Sequence, residues 1–178
     1  MCTFGWVDVQ VIALLVSPVH AFEGRPQDGP LSDPLVGSCE RVEVRAGLGL
    51  VGDRFYAQQA HRKASVTVFA AESIDAITTE LDLPEAPNPL LPRRNVVLRG
   101  YPVDGLAAGR TSAGALFSLD SGDGPVRFQA HRPASPCGWM DAVVAQGAHR
   151  ALRGRGGVRC EPLDNGILRV GPAVLTLL

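Results

Sequence analysis

Residues 126–141 read VRFQAHRPASPCGWMD and contain a boundary between two kinds of secondary structure. Apolar and polar residues alternate from Val126 to His131, which is the period of a half-buried strand. Beyond two prolines, apolar residues recur at helical spacing, and this spacing predicts a helix over 138–152. Cys137 is therefore expected on the turn between strand and helix, at or next to the first turn of the helix.

Cys137 is the leading candidate for a functional residue. Unpaired N–H groups and the positive end of a helix dipole favour a thiolate at such a position, and nearby Arg132 would act in the same direction. A thiolate there can serve as a nucleophile or as a soft metal ligand. The alternative is a small buried side chain that fills a corner of the core, since free cysteines are among the most buried residues.

Short strands dominate the rest of the sequence. An amphipathic helix is predicted over Ala70–Asp82, a long surface loop over Pro18–Ser38 and a hairpin turn at Asp164–Gly166. Strands are predicted at 7–17, 41–45, 64–69, 96–98, 109–119, 126–131, 158–163, 167–170 and 174–178. Because so many short strands must hide their edges, we expect a mainly β (α+β) fold, a closed or partly closed β-barrel with a few helices. One domain over residues 1–178 is expected.

The composition is that of a soluble globular protein, with 46% hydrophobic and 20% charged residues. A net charge of -1 gives no electrostatic reason to expect binding to nucleic acid or to an anionic membrane. The apolar run Val9–Val16 is too short to span a bilayer and lacks the basic start of a signal peptide, so a cytoplasmic location is expected. None of the four cysteines forms a CxxC pair, and we expect free thiols.

Two further segments contain residue types that bind anions. Arg93 and Arg94 precede the predicted strand 96–98, and guanidinium groups bind phosphate or carboxylate oxygens bidentately. A solvated basic strand end is the alternative. The glycine-rich segment 47–54 ends in Asp53 and Arg54, which form either a local ion pair or the rim of an anion site. It fits neither a dinucleotide-binding fingerprint nor a Walker loop.

Together these pieces resemble the MOSC domain, the family named after the C-terminal part of molybdenum-cofactor sulfurase, and in particular its bacterial stand-alone members. The resemblance extends over nearly the whole chain. Its pieces, in family order, are Ser17–His20, Gly47–Arg54, His61–Arg62, Arg94–Val97 with Gly100 and Leu106, Pro136–Cys137, Gly156–Val158 and Asn165–Ile167. The family has a β-barrel-like fold with a few helices. This chain departs from it in the basic segment 91–95 and in the loop 18–38, so no relative's substrate is carried over.

The resemblance implies a pocket in which a cysteine carries sulfur or ligates the molybdenum of a molybdopterin cofactor, and Cys137 occupies the family position. Arg62, Arg94 and Asn95 would then bind the phosphate and pterin edges of the cofactor. Further candidates for the cofactor site are Arg54, His61, Arg132 and Ser135. Pyridoxal phosphate binding is associated with the family as a whole and is assigned to no residue here.

Four functions remain open at this level. The first is an oxidoreductase with the molybdenum cofactor on Cys137, acting on small N-hydroxylated compounds with electrons from a partner protein. The second is a carrier of sulfur or of the cofactor without redox turnover, served by a sulfur-donor protein. The third is a zinc site of Cys137, His131 and either His61 or His20, which residue spacing supports poorly. The fourth is a structural domain with an inert cysteine and no bound cofactor.

Overall fold

The computed structural model describes residues 5–33 and 37–178, so Cys2 and part of the predicted loop 18–38 lie outside the described residues. Three α-helices are found within them: α1 (Glu72–Glu80), α2 (Trp139–Val143) and α3 (Ala148–Ala151). The strands, in chain order, are β1 (Trp6–Leu14), β2 (Arg41–Arg45), β3 (Gly49–Leu50), β4 (Val66–Ala70), β5 (Val96–Arg99), β6 (Leu116–Asp120), β7 (Pro125–Pro133), β8 (Val158–Pro162), β9 (Gly166–Arg169) and β10 (Gly171–Leu177). Short 3-10 segments occupy Pro26–Asp28, Gln59–Ala64 and Val103–Leu106.

Seven of the described strands close into a barrel, in the order β1-β10-β6-β7-β8-β4-β5, with β5 paired back to β1. Neighbours are antiparallel except for β4 and β5, which are parallel and are connected through α1. A parallel pair needs such a crossover, and the predicted amphipathic helix provides it. β2, β3 and β9 form a separate sheet in the order β3-β2-β9. The predicted mainly β barrel with a few helices is confirmed.

One part of the barrel wall is buried on both faces. In β4, Val66 and Val68 belong to the cluster that fills the barrel, while Phe69 lies on the opposite face and is also fully buried. The outer cluster combines Phe69 with helix residues of α1 and α2, among them Ile74, Ile77, Trp139 and Met140. The helices therefore cover the wall at β4, and they leave a cleft beside it.

The prediction of one continuous helix over 138–152 was wrong. Two short helices, α2 and α3, occupy this segment, and Gly147 between them has a left-handed backbone with φ of 93°. A helix cannot pass through that conformation, although apolar residues on both sides keep a helical spacing. Among the described residues, none of the helices has the length and apolarity needed to cross a lipid bilayer.

Two β predictions also needed correction. The strand predicted over 109–119 begins only at Leu116, because Gly114 passes against the carbonyl oxygen of Ala130, where a Cβ would lie 2.1 Å away. The predicted hairpin at 164–166 does not form, since β8 pairs with β4 and β7 whereas β9 pairs with β2. Asn165 instead accepts a hydrogen bond from the Ala46 N–H at 2.9 Å.

Candidate functional site

A cleft of about 240 Å³ lies beside the covered barrel wall, and Cys137 forms part of its lining. The cysteine is exposed and lies in the loop between β7 and α2. The lining of the cleft includes four arginines, Arg54, Arg93, Arg94 and Arg159. Among the described residues no carboxylate lines it, so the thiol lies in a strongly cationic cleft, to which negatively charged ligands would be attracted.

Arg159 projects from the barrel wall into the cleft. Val158 and Cys160 on either side point into the barrel, and strand alternation therefore turns Arg159 outward, opposite Thr67 of β4. Its Nε is buried and has no hydrogen-bond partner among the described residues. Burial lowers the pKa of Arg159, and nearby Arg132 lowers it further, whereas Cys137 raises it. Arg159 thus provides an unpaired positive charge close to the thiol.

Arg94 links the cysteine loop to the turn that precedes β8. Its Nε donates to the carbonyl of Gly156 and its Nη2 to the carbonyl of Ala134, each at 3.0 Å. Its Nη1 makes no hydrogen bond within residues 5–33 and 37–178. Burial lowers the pKa of Arg94 to about 10, with a further lowering by Arg159, and Cys137 acts in the opposite direction. Arg94 therefore positions the loop and keeps one nitrogen for a ligand.

The loop and the turn are in close backbone contact. Ala134 donates its N–H to the carbonyl of Gly157 at 2.8 Å. A Cβ at Gly156 would lie 2.3 Å from the carbonyl oxygen of Ala134, well inside van der Waals contact. Glycine is thus required at 156 for the loop that carries Cys137 to reach its position.

Arg54 enters the cleft from the glycine-rich segment. Its guanidinium lies over the ring of Phe55, 4.7 Å from the centroid, and 3.5 Å from Asp53. Burial lowers the pKa of Arg54, while Asp53 raises it. The ion pair predicted for Asp53 and Arg54 is confirmed, and Arg54 also lines the cleft, where anion binding stays a prediction.

Asn95 lies inside the barrel wall and outside the cleft lining. Its Oδ1 accepts hydrogen bonds from the N–H and the hydroxyl of Thr67, and its Nδ2 donates to the carbonyl of Leu15 and to Asp53. No hydrogen-bonding group of this amide is left for a ligand. Asn95 supports the site through Asp53, which neighbours Arg54.

The other predicted site residues are distributed around the cleft. Ser135 lines it together with Cys137. Arg62 does not line the cleft, and its Nε instead donates a hydrogen bond to Glu161 at 2.6 Å. His61 lies against Phe55, with ring centroids 4.7 Å apart, and is also absent from the lining. Arg132 lines a neighbouring cavity.

Sequence reasoning missed Arg159 and the aromatic wall formed by Phe22 and Trp139, whose rings stack at 5.2 Å. The alternation Val158-Arg159-Cys160 could have shown that Arg159 points outward, but no local signal shows what lies opposite. Arg93, noted as an anion-binding candidate, is engaged by Asp33 at 2.7 Å and by the carbonyl of Val19 at 3.0 Å. One nitrogen of its guanidinium, Nη2, is therefore already paired, while the buried Nε has no hydrogen-bond partner among the described residues.

The structure changes the physical reason for interest in Cys137. The helix that follows it has only five residues, so its dipole is smaller than that of the predicted long helix. Positive charge near the thiol comes mainly from Arg94 and Arg159. The described part of the chain contains no group of three or more His, Cys, Asp or Glu side chains suited to a metal ion, so the zinc hypothesis gains no support.

No protein-family model matches the sequence, and no curated protein matches it. Solved structures share its fold. The YuaD protein from Bacillus subtilis gives a TM-score of 0.70 at 14% identity, with 98% of each chain covered. YiiM from Escherichia coli gives 0.58 at 14% identity, covering 98% of this chain and 70% of that one. YiiM from Geobacillus stearothermophilus gives 0.57 at 15% identity, covering 96% and 75%. At these identities the likeness shows the fold alone.

Proposed function

We propose that this protein is a MOSC-type oxidoreductase that holds a molybdenum cofactor on Cys137 and reduces small N-hydroxylated compounds. The observation that carries the proposal is the placement of an exposed thiol in a cleft with four arginines and, among the described residues, no carboxylate. A soft sulfur ligand beside unpaired guanidinium groups suits a metal bound to an anionic organic cofactor.

The residues present fit the charge and the donor types of such a cofactor. Cys137 would provide the sulfur ligand to molybdenum, and Arg159 and Arg94 have nitrogen atoms without protein partners for the anionic part. The cleft volume of about 240 Å³ is below the roughly 300–1,000 Å³ of pockets that enclose a whole ligand. We therefore expect the cleft to bury part of the cofactor and leave the remainder at its mouth.

Similarity of fold is a second, separate observation that supports the proposed family membership. YuaD and YiiM are MOSC-domain proteins, and their fold extends over nearly the whole of this chain. Of the sequence pieces that resemble the family, those with Arg54, Arg94 and Cys137 contribute residues to the cleft lining. Ser17, Asp53 and Asn95 form one hydrogen-bonded group beneath Arg54, and Arg94 contacts the Gly156 turn and the Cys137 loop.

The bound cofactor would supply two-electron redox chemistry at molybdenum. Reduction of an N-hydroxylated compound consumes two electrons and two protons and releases the amine and water. The chain would orient the anionic cofactor through Arg94 and Arg159, while Phe22 and Trp139 exclude water from one wall. The electrons would come from a partner protein or a chemical reductant.

The test is reduction of an N-hydroxylated amidine by cofactor-loaded protein with a chemical electron donor. Wild type and Cys39→Ser are expected to turn over, because the Cys39 thiol lies outside the cleft and contacts the carbonyl of Leu14. Cys137→Ser is expected to lose turnover by about a hundredfold or more, because loss of the ligand itself should cost at least as much as the roughly 10–100-fold that loss of a ligand's hydrogen-bond partner costs. Full activity in Cys137→Ser would refute the assignment.

Sulfur carriage is the second candidate, and the exposure of Cys137 is the observation that favours it. A persulfide on an exposed thiol can be reached by a donor protein, and neighbouring arginines would stabilise its negative charge. Mass spectrometry after incubation with a cysteine desulfurase should then show one added sulfur on Cys137 in metal-free protein. Absence of the adduct would leave oxidoreductase activity as the sole proposal.

A further inference from the structure

A second cavity, of about 320 Å³, adjoins the cysteine cleft. It is lined by Ala60, Lys63, Ala64, His131 and Arg132, and Ala64 lines the cleft as well. Lys63 is the only lysine in the sequence, in which every other cationic side chain apart from histidine is an arginine. A distinct type of cation is thus located next to the proposed reaction site.

A β-bulge explains why two consecutive residues of β7 line the same cavity. Ala130 pairs with Cys160 and Pro133 with Val158, so His131 and Arg132 together oppose the single residue Arg159. In a regular strand, neighbouring side chains point to opposite faces, whereas a bulge redirects one of them. Bulges are frequent beside active sites, and here the bulge adds Arg132 to the cavity and brings it close enough to affect the pKa of Arg159.

The cavity has an excess of positive charge. Neither the Lys63 ammonium nor the Arg132 guanidinium has a hydrogen-bond or ion-pair partner within the described residues, and both residues are exposed. His131 Nε2 is buried without a hydrogen bond, and its neighbouring carboxylate, Glu161, lies 3.5 Å away. Glu161 is already bound by Arg62 at 2.6 Å. The remaining unpaired charges in the lining are the cations Lys63 and Arg132.

We infer that this cavity is an anion subsite that binds the phosphate group of a phosphorylated small-molecule substrate, whose reacting end lies at Cys137. An ammonium and a guanidinium that line one cavity without protein partners suit a phosphate dianion. In the proposed function, the arginines of the cleft bind the anionic part of the cofactor. The cations of the second cavity are then available for an anionic group of the substrate. This assignment of substrate class rests on the proposed function.

The unique lysine permits a direct binding test on the full chain without cofactor. Acylation of Lys63 by an amine-selective ester is followed by peptide mapping, with inorganic phosphate or with sodium chloride at equal ionic strength. Phosphate at ten times its Kd should slow acylation by about tenfold in wild type, as mass action requires, and chloride should not. Arg132→Ser should lose this protection. Arg153→Ser, which removes an exposed arginine that does not line the cavity, should keep it. An acylation rate that phosphate does not change in wild type would overturn the subsite.

A second arm identifies the source of the phosphate. The labelling is repeated on cofactor-loaded protein, and molybdenum is measured in Arg132→Ser. Continued protection by inorganic phosphate, with molybdenum retained in the variant, supports a substrate phosphate. Protection by cofactor loading alone, with molybdenum lost in the variant, would assign the phosphate to the cofactor and overturn the substrate class. Wild type without any molybdenum would contradict the proposed function, while the result on cofactor-free protein would stand separately.

Discussion

Asn95 supports the site from within the barrel wall. Its amide makes four hydrogen bonds, to Thr67, Leu15 and Asp53, in a position that is 1% exposed. Asp53 in turn accepts the N–H of Ser17 and of Phe55. This network fixes the segment from which Arg54 enters the cleft, and removal of its central amide would leave several buried polar groups unpaired.

Replacement of Asn95 by alanine should therefore lower the free energy of unfolding by about 2–4 kcal/mol, measured by urea denaturation at pH 7. The matched control is Asn88→Ala, in which an exposed asparagine loses one hydrogen bond, from the N–H of Leu90, and the loss should stay below about 1 kcal/mol. Equal and small losses in both variants would show that the Asn95 network contributes little to stability.

At this scale the sequence predicted some residues of the cleft and could not predict others. Cys137 and Arg54 were identified from the turns that contain them and Arg94 from its position before a strand, because glycine, proline and strand-end positions leave local signals. Arg159 lies in the middle of a strand and becomes part of the cleft only because β8 pairs with β4 beneath the helices. The pairing of β8 with β4 joins segments that are far apart in the sequence, and no pattern in the residues flanking Arg159 predicts it.

At the level of loops and strands, the contact between the Cys137 loop and the Gly156 turn determines where Cys137 lies in the site. Arg94 donates one hydrogen bond to each segment, and the backbones meet where a Cβ at Gly156 would overlap the carbonyl of Ala134. The loop would have to move away from Arg94 to accommodate a side chain at 156. The position of Cys137 therefore depends on a loop that is held by these contacts and not by the hydrogen bonds of a helix or a strand.

Gly156→Ala should reduce the molybdenum content of protein purified from a host that makes the cofactor, and should destabilise the fold by about 1–3 kcal/mol through overpacking. Gly105→Ala is the control, since a Cβ there has no atom within 4 Å. Metal analysis and urea denaturation would be applied to both variants. Wild-type molybdenum content in Gly156→Ala would show that close approach of the loop is not required.

An ion pair between α1 and β5 adds a pH-dependent contribution at the other side of the helix layer. Asp75 accepts hydrogen bonds from Arg99 at 2.5 and 3.2 Å. These bonds lower the pKa of Asp75 below its ordinary value of 3.8. A carboxyl with a lowered pKa in the folded state stabilises the fold above its ordinary pKa, and this contribution is lost as pH falls through the folded-state pKa.

Asp75→Asn should accordingly lower the free energy of unfolding at pH 7 by less than about 1 kcal/mol, since both side chains are about half exposed and solvent screens the pair. The difference from wild type should disappear as the pH is lowered well below 3.8. Denaturation curves at several pH values would measure it, with Glu85→Gln as an exposed control. A difference that grows on acidification would contradict the assigned direction.

For the whole molecule, closure of the barrel was predictable and the order of its strands was not. Alternating short strands require closure or stacking to protect their edges, and Arg41–Arg45 was located from its pattern alone. The same alternation cannot show that β9 leaves the barrel to pair with β2, or that Gly147 divides a helical pattern in two. Both outcomes depend on which distant segments meet, and the cleft beside β4 depends on them too.

If the cationic cleft holds molybdenum through Cys137, the metal content of the purified protein depends on that thiol. Wild type, Cys137→Ser and Cys39→Ser would be purified from a host that makes the molybdenum cofactor, and molybdenum and oxidised pterin fluorescence would be measured per chain. Molybdenum and pterin are expected together in wild type and Cys39→Ser, and both should be absent from Cys137→Ser. Equal molybdenum in wild type and Cys137→Ser, or none in wild type, would show that Cys137 does not hold a molybdenum cofactor in this cleft.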